Sequence, residues 1–347
     1  MTTKQFAAVT AVRSAVRKLL AELELTPESV VLVGCSGGAD SLALAAALAY
    51  ESKRVARSTR SRGFAIRAGA VIVDHGLQAN SEAVAHNAAD NCRRLGLDPV
   101  KVRRVDVDRN GSGGLADAAR AARYVAFEEV AEATGAEALL LAHTADDQAE
   151  QVLLALARGS GTRSLAGIPA SRGIYERPLL GLRHAQLVEA CREQGLVWWE
   201  DPTNHLTGPE AGLRARVRNE LLPMIEDVLG PGVAMSLART ASLAFDDAEA
   251  LDSLAAMVID KAMLPDANPG CITLDPHVLA CEHAAVRRRA LRAAAVVAGA
   301  GPGDLRSVHL HALDDLVMNW RGERATFLPS GLAVRRNCDT LVFEPKE

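Results

Sequence analysis

A glycine-rich turn, Ser36 to Ser41, holds the residue types best suited to chemistry. It reads Ser-Gly-Gly-Ala-Asp-Ser, follows the apolar run Val30 to Val33 and precedes the alanine- and leucine-rich run Leu42 to Tyr50. This pattern predicts a strand, a tight turn and a helix. Backbone N–H groups, two serine hydroxyls and a helix N-terminus would then surround a concavity that favours an anion such as phosphate. A turn that serine and aspartate merely cap is the alternative.

Asp40 places a carboxylate among these expected phosphate donors. It would repel a phosphate unless a cation bridged the two, and Mg²⁺ commonly does so with one or two carboxylates. The turn lacks the lysine of a Walker-type loop and the three-glycine spacing of a dinucleotide-binding turn. The sequence therefore predicts a different type of phosphate loop, with a metal on Asp40.

A second polar cluster, His143 to Glu150, follows a strand predicted over Ala138 to Ala142. Asp147 and Glu150 are three residues apart and share one face of the helix expected to begin here. Two carboxylates at the active end of a sheet suit a cationic ligand, either an amino group or a metal. An exposed acidic first turn that complements the helix dipole is the alternative.

Asp74 and His75 end another predicted strand, Gly69 to Asp74. In a doubly wound sheet, the carboxyl end of the strand next to the phosphate loop borders the ligand crevice. The two side chains are therefore placed to contact the ribose or base of a nucleotide. Capping of the turn is the alternative.

The remaining pattern gives the fold class. Predicted strands alternate with helices, which indicates an α/β fold with a doubly wound, mainly parallel sheet over residues 1–225. The other strands are expected over 100–107 and 197–204, and the other helices over 6–25, 81–95, 116–134 and 184–194. Composition changes near Gly230-Pro231-Gly232, so residues 230–347 are expected to form a second, mainly helical domain with a short β-like tail over 325–343.

Composition limits the class of protein. The net charge of the 347 residues is only −4, so a nucleic-acid partner would need a local basic face. The six cysteines include no C-x-x-C pair, which argues against a zinc ribbon, an iron–sulfur cluster or a disulfide framework. No apolar run has membrane-spanning length and no signal-peptide pattern begins the chain. We expect a cytoplasmic protein without a membrane partner.

Several arginine clusters could contact a polyanion, although a solvated loop or helix face is the alternative for each. Arg158 and Arg163 bound a Gly-rich loop that we expect to be mobile over the cleft. Arg214, Arg216 and Arg218 alternate ahead of Leu221, and would follow one phosphate track only in an extended or fraying segment. Two further basic clusters could do the same. One lies between residues 51 and 62, and the other, in the second domain, comprises Arg287, Arg288, Arg289, Arg292 and Arg306.

Taken together, the motifs resemble a known family. The Ser36 to Ser41 turn is similar to the pyrophosphate loop of N-type ATP pyrophosphatases, which adenylate an oxygen and release pyrophosphate. Over residues 30 to about 223 the chain resembles the tRNA(Ile)-lysidine synthetases, whereas its C-terminal region resembles the family only weakly. The further motifs that carry this resemblance are Val73-Asp74-His75-Gly76-Leu77, Arg123-Tyr124, the cluster over 143–150, Arg158-Gly159-Ser160-Gly161, Arg177-Pro178-Leu179-Leu180 and Trp199-Glu200-Asp201-Pro202-Thr203-Asn204. Where the family usually reads Arg-Asn-Arg-Ile-Arg, this chain has Ala215 and Val217 but keeps all three arginines.

The resemblance implies a reaction. Members of the family use ATP to adenylate the wobble cytidine of an isoleucine tRNA with a CAU anticodon, and the side-chain amine of L-lysine then displaces AMP. ATP would be bound by Ser36, Gly37, Gly38, Ala39, Asp40, Ser41, Asp74 and His75, with Mg²⁺ on Asp40. Catalytic roles would fall to Asp40, to Arg123 at the α-phosphate and to His143 in positioning or proton transfer. Asp147 and Glu150 would bind lysine, and Arg158, Arg163, Arg214, Arg216 and Arg218 would contact the tRNA.

The sequence does not decide between a monomer and a homodimer. Two other classes of protein share part of this sequence pattern. A tRNA thiolase of the same fold would normally need cysteine pairs to carry sulfur. A non-enzymatic module that senses nucleotides or binds RNA would need no acidic amine site beside the phosphate loop.

Overall fold

The computed structural model describes residues 6–57, 61–78, 80–107, 114–159, 161–208, 210–265, 271–322 and 325–345. The chain divides into two compact units, Met1–Leu243 and Ala244–Glu347. The division lies inside the long helix Val233–Ala262, and not in the Gly230-Pro231-Gly232 segment where the composition changes. The first unit therefore extends beyond residue 225.

Helices and strands alternate in the first unit. The strands are β1 (Val30–Gly34), β2 (Arg67–Asp74), β3 (Val100–Arg104), β4 (Ala136–Leu140), β5 (Ser171–Arg172) and β6 (Tyr175–Glu176). The helices are α1 (Ala7–Glu22), α2 (Ala39–Glu51), α3 (Ser81–Leu95), α4 (Leu115–Thr134), α5 (Ala145–Ala157), α6 (Thr162–Leu165), α7 (His184–Glu193), α8 (Leu213–Arg216), α9 (Leu222–Leu229) and the start of α10 (Val233–Ala262).

These strands form one sheet in the order β3-β2-β1-β4-β6-β5. All neighbours are parallel except β5, which pairs antiparallel with β6. The predicted doubly wound, mainly parallel sheet is confirmed. Because the strand order reverses at β1, a ligand crevice is expected at the carboxyl ends of β1 and β4.

The strand predicted after Val197 is wrong. Residues 197–199 are described and form no strand, while the sheet ends instead in the two short strands before Arg177. The N–H of Trp199 donates to the carbonyl oxygen of Gly37 at 2.9 Å. The segment therefore crosses the glycine turn through a single backbone hydrogen bond and does not join the strand ladder.

The two faces of β1 enter different cores, as the period of two in a buried parallel strand requires. Val31 and Val33 pack with residues of α1, α2, α3 and α7, whereas Val30 and Leu32 pack with residues of α4. At the end of β1, a Cβ on Gly34 would lie 2.9 Å from the ring of Phe127. This close approach holds α4 against the end of the strand.

The second unit combines helices with a small sheet. Its elements after α10 are β7 (Met263–Leu264), β8 (Ile272–Leu274), α11 (Pro276–Ala280), α12 (Ala284–Val297), α13 (Ser307–Met318), β9 (Ala325–Leu328), β10 (Leu332–Arg336) and β11 (Leu341–Pro345). The helical C-terminal region is confirmed, and the β-like tail supplies three strands of an antiparallel sheet ordered β7-β8-β11-β10-β9. Residues 266–270, between β7 and β8, lie outside the described residues.

Arginines of α12 hold this unit together. Arg287 and Arg288 donate to Asp314 at 2.6 and 2.8 Å, and Arg289 donates to Asp252 at 2.6 Å. Arg287 is only 5% exposed, so it is unavailable as the docking contact that the sequence suggested.

Within the described part of the chain, no single helix has the length and apolar character that a membrane span needs. One bent pair, Leu213–Leu229 with Val233–Ala262, meets the length and composition criteria only when its two helices are taken together.

Candidate active site

The glycine turn between β1 and α2 is held in a tight conformation by its own hydrogen bonds. Gly37 has a φ of +85°, which favours glycine, and a Cβ there would lie 3.2 Å from that of Ala88. The hydroxyl of Ser41 accepts from the N–H of Ser36 at 3.1 Å and donates to the carbonyl of Gly38 at 3.0 Å. Gly38 caps α2 without a side-chain hydrogen bond, so the first N–H groups of the helix keep their donor capacity for a ligand.

A pocket of about 540 Å³ opens beside this turn. It brings together most of the side chains that the sequence proposed for ATP, catalysis and the amine. The members that line it are Ser36, Asp40, Ser41, Asp74, His75, Arg123, His143 and Asp147. Arg218, which the sequence proposed as a tRNA contact, lines it as well, whereas Glu150 does not. The two polar clusters of the sequence thus face one cavity, although they are about a hundred residues apart in the chain.

Asp74 serves the turn that follows β2. Its carboxylate accepts from the N–H of Gly76 at 2.9 Å and from Arg104 at 3.1 Å. Burial works to raise the pKa of Asp74, but the hydrogen bonds from Gly76 and Ser81 and the charge of Arg104 outweigh it and lower the pKa. Turn capping therefore accounts for the carboxylate, which still lines the pocket.

His75 and Arg123 form a hydrogen-bonded pair on the pocket wall. The Nε of Arg123 donates to Nε2 of His75 at 3.2 Å, so the imidazole proton belongs on Nδ1. Burial and the charge of Arg123 lower the pKa of His75 to about 4. No described residue accepts a hydrogen bond from the two terminal nitrogens of Arg123, which leaves them for an anion.

His143 is also neutral at ordinary pH. Burial, together with the charges of Arg177, Arg120 and Arg123, lowers its pKa to about 4, against an opposing effect of Asp147. Its Nδ1 is buried, and no partner for it lies among the described residues. A ring with this pKa is better suited to positioning a ligand than to accepting a proton.

Replacing His143 with glutamine is expected to make the chain less sensitive to mild acid. Folding lowers the pKa from 6.5 to about 4, so the unfolded chain binds more protons between these values and stability falls as pH drops through them. His143 should cost about 1–2 kcal/mol of unfolding free energy between about pH 7 and about pH 5. Urea titrations at both pH values measure the loss, with the exposed His86→Gln as control. Equal losses in wild type and His143→Gln would contradict the burial of this ring.

Asp40 is held by a residue that the sequence analysis missed. Nδ1 of His184, at the start of α7, lies 2.8 Å from Oδ1 of Asp40. Burial raises the pKa of Asp40 even though His184 lowers it, and the hydrogen bond to Asp40 raises the pKa of His184. Burial thus disfavours the ionised form of Asp40, and the hydrogen bond from His184 partly offsets this effect.

The donor set fits a Mg²⁺ ion that is shared with phosphates. Within the described ranges, no group of three or more His, Cys, Asp or Glu side chains could hold a metal alone. Mg²⁺ needs only one or two carboxylates when phosphate oxygens and water complete its octahedron. Oδ2 of Asp40 accepts no hydrogen bond from a described residue, and the side chain is 29% exposed.

Asp147 and Glu150 are both engaged by one cation. Nε of Arg218 donates to Oε1 of Glu150 at 2.5 Å, and its NH2 group donates to Oδ1 of Asp147 at 3.2 Å. Glu150 is 1% exposed, which excludes the alternative of an exposed acidic turn. Asp147 also accepts from the N–H of Thr144 at 2.8 Å as part of a capping box. The two carboxylates thus form an ion pair with Arg218, and Asp147 also takes part in the capping box of α5.

Arg218 is therefore not simply one of three equivalent phosphate contacts. It lies on a π-helical turn, Val217–Leu221, between α8 and α9, so the segment is neither extended nor frayed. Arg214 donates to Gln151 at 2.9 Å, and Arg216 is 3.5 Å from Glu220. Their side chains remain exposed, unlike the inner atoms of Arg218 that contact the acid pair.

The loop before α6 is only partly described. Arg158 ends α5 and Arg163 lies within α6, and both are exposed. Ser160 lies outside the described residues. Downstream of the loop, the amide of Gln148 exchanges hydrogen bonds of 2.8 and 2.7 Å with the backbone of Ile168. The far end of the loop is therefore fixed to α5.

Hydrogen bonds between residues far apart in the sequence position His184, which no motif had identified as part of the site. Arg183 donates to Asp146 at 2.8 Å, and Asp146 also accepts from the N–H of His184 at 2.7 Å. Asp146 thus fixes the start of α7, and with it the imidazole that contacts Asp40. The sequence offered one signal, since Arg183 and His184 lie only a few positions after the Arg177-Pro178-Leu179-Leu180 motif.

Comparison with known proteins agrees with this geometry. A family model described as a PP-loop domain matches residues 9–225. The tRNA(Ile)-lysidine synthase of Salinispora tropica is 48% identical over 337 residues, covering 96% of this chain and 95% of that protein. The chain belongs to the tRNA(Ile)-lysidine synthase family. The synthase of Leifsonia xyli subsp. xyli is 46% identical and covers 92% of this chain and 91% of its own length.

Among solved structures, the U34-tRNA thiolase NcsA from Methanococcus maripaludis, with its [4Fe-4S] cluster, superposes with a TM-score of 0.53. It is 18% identical and covers 70% of this chain and 80% of that chain, so the likeness shows the fold alone. The six cysteines here are all free: Cys35, Cys92, Cys191, Cys271, Cys281 and Cys338. The PP-loop domain assigns ATP use to this member of the lysidine synthase family.

Proposed function

We propose that the chain adenylates the wobble cytidine of an isoleucine tRNA with a CAU anticodon and then joins L-lysine to C2 of that base, releasing AMP and pyrophosphate. The observation that carries this proposal is one pocket in which the glycine turn faces Asp147 and Arg218, with Arg218 joining Asp147 to the buried Glu150 behind it. The family of the chain supports the same reaction.

The glycine turn serves the adenylation half. The Ser36 to Ser41 turn would hold the pyrophosphate that leaves while O2 of cytosine attacks the α-phosphorus of ATP. Such a transfer asks the protein chiefly for positioning and for neutralising charge. Arg123 presents its two terminal nitrogens to the cavity while His75 fixes its Nε, so it is suited to stabilise charge at the α-phosphate. Mg²⁺ on Asp40 would neutralise phosphate charge when bound.

The acid pair serves the lysine half. Asp147 and Glu150 accept charge-assisted hydrogen bonds from a guanidinium, so they can accept them from the α-ammonium of lysine as well. The side-chain amine must arrive neutral to attack C2 and displace AMP. The neutral ring of His143, which lines the same cavity, can orient the amine by hydrogen bonding.

The proposed substrates also indicate the cellular compartment in which the protein acts. An enzyme that acts on tRNA, ATP and free lysine works in the cytoplasm, and no membrane partner is proposed.

Incubation with ATP, Mg²⁺, labelled lysine and isoleucine tRNA tests the reaction directly. Label should enter RNA only when ATP is present, and pyrophosphate should be released in equal amount. A transcript whose wobble cytidine is replaced by uridine is the matched control. Pyrophosphate release without label in RNA, at saturating lysine, would contradict the lysine half of the proposal.

Salt dependence tests the RNA contacts. Alanine at both Arg214 and Arg216 should reduce the log–log salt slope of tRNA binding by about one per arginine, because each phosphate contact releases about one counterion. The control is Arg192→Ala, which removes an exposed arginine that pairs with Glu189 on α7. Filter binding at several salt concentrations gives the slopes. If the double variant keeps the wild-type slope, α8 is not part of the RNA interface.

A further inference from the structure

Arg218 occupies the site that is proposed for the ammonium of lysine. Its guanidinium donates to the same two carboxylates, Asp147 and Glu150, that a ligand ammonium would use. Arg218 holds one oxygen of each carboxylate, Oε1 of Glu150 and Oδ1 of Asp147, so an ammonium that used these two oxygens would have to displace it. Arg218 is therefore a built-in competitor of the substrate amine.

The burial of Glu150 makes this competition strict. A carboxylate that is 1% exposed is very costly to leave without a cation, so Arg218 stays until another cation or another partner replaces the contact. Oε2 of Glu150 is buried and has no partner among the described residues. The guanidinium thus leaves acceptor capacity unused, which the three N–H donors of an ammonium can use.

Arg218 lies where an RNA phosphate could become an alternative partner for its charge. The side chain is 41% exposed, so its outer surface is open to a phosphate while its inner nitrogens hold the acid pair. Arg214 and Arg216, whose side chains are exposed, precede it by one turn of helix or less. An RNA backbone that contacts those two arginines would bring negative charge close to Arg218.

The backbone at Arg218 is suited to movement. The turn Val217–Leu221 has π-helical hydrogen bonding, a geometry that often marks functional positions because its extra residue can be redistributed. It lies between the short helix α8 and α9, whose first turn contains Pro223. A small change of winding there would carry the guanidinium away from α5.

We propose that Arg218 is a latch that makes lysine capture depend on RNA. In the RNA-free chain it is closed on Glu150 and Asp147 and fills the amine site; when tRNA binds, a backbone phosphate takes the guanidinium and the acid pair accepts lysine. This inference rests on the proposed function, because it assumes that the acid pair binds the amine. Its consequence is an order of events in which lysine is admitted only after the RNA is in place.

Equilibrium dialysis of labelled lysine against the full chain tests the latch, with Mg²⁺ and a non-hydrolysable ATP analogue present throughout. In wild type, isoleucine tRNA should tighten lysine binding about tenfold, as expected if about a tenth of the RNA-free chain is open. Arg218→Ala should bind lysine about tenfold more tightly than wild type without RNA, and tRNA should then add little. Arg218→Gln, which keeps a hydrogen-bond donor without the charge, should lie between them. Arg192→Ala is the control for loss of an exposed arginine.

Three outcomes separate the possibilities. Wild-type lysine binding that ignores tRNA would overturn the latch, whatever the variants do. Weaker lysine binding by Arg218→Ala, in a variant with wild-type melting temperature, would make Arg218 a supporting member of the amine site and also overturn it. If lysine binds neither protein, with or without tRNA, the amine site itself is wrong and the proposed function fails with it.

Discussion

Asp40→Asn is expected to slow tRNA-dependent pyrophosphate release by roughly 10²- to 10³-fold, the range that loss of one preorganised electrostatic group costs. Asparagine keeps the size of the side chain and can still hydrogen-bond to His184, so the fold should remain intact. The lost charge is the one that the glycine turn presents to the pocket. Single-turnover release of pyrophosphate from labelled ATP measures the rate, and thermal melting checks the fold.

The control for this prediction is His184→Asn. It removes the partner of Asp40 but leaves the carboxylate ionisable, so its rate should stay far closer to that of wild type. If both variants are equally slow, the hydrogen-bonded pair and not the carboxylate is what the reaction needs. Wild-type rates in Asp40→Asn would remove the metal from Asp40 altogether.

Local patterns predicted those parts of the fold that local interactions determine. Helix α3 runs over Ser81–Leu95 as predicted, because Gly96 with a φ of +90° ends it in the left-handed conformation that glycine permits. The position of the glycine turn was predicted from composition, because a Gly- and Ser-rich segment between an apolar run and an Ala/Leu-rich run indicates a tight turn from strand to helix. The helix after β4 was predicted to begin at the polar cluster, and Thr144 caps it there.

Pairings between distant segments could not be read from local patterns. Arg218 meets Glu150 across 68 residues, and His184 meets Asp40 across 144, so no local periodicity relates the partners. The arginines of the second unit show the same limit. Their spacing suggested an exposed basic face, yet Arg287 is buried against Asp314. A sequence records the charge of a side chain but not whether a partner has already neutralised it.

The prediction of the edge strand of the main sheet was wrong for a related reason. Strands β5 and β6 have two residues each, too few to show alternation, whereas Val197 to Trp199 is apolar enough to resemble a strand. Trp199 instead donates its N–H to the carbonyl oxygen of Gly37, Trp198 packs against the core, and Val197 is exposed. The apolar character of this segment therefore does not reflect membership of the sheet.

Glu150→Gln is expected to separate the two halves of the reaction. Losing one charged partner of the lysine ammonium should cost about 1.5–3 kcal/mol, which raises the lysine requirement roughly ten- to a hundredfold. Adenylation should continue, since Glu150 lies outside the set of residues that line the ATP pocket. A single turnover would then release pyrophosphate at a near-normal rate while label from lysine enters RNA poorly.

Glu150 is a better test of this division than Asp147, because Asp147 also accepts from the N–H of Thr144 in the capping box of α5. Asp147→Asn would therefore combine loss of a cap, typically about 1 kcal/mol, with loss of an amine contact. The matched control is Glu176→Gln, another buried carboxylate, which accepts from Ser171 at 2.7 Å. If Glu150→Gln blocks pyrophosphate release while the lysine dependence stays unchanged, this carboxylate acts in adenylation, and the amine must bind elsewhere.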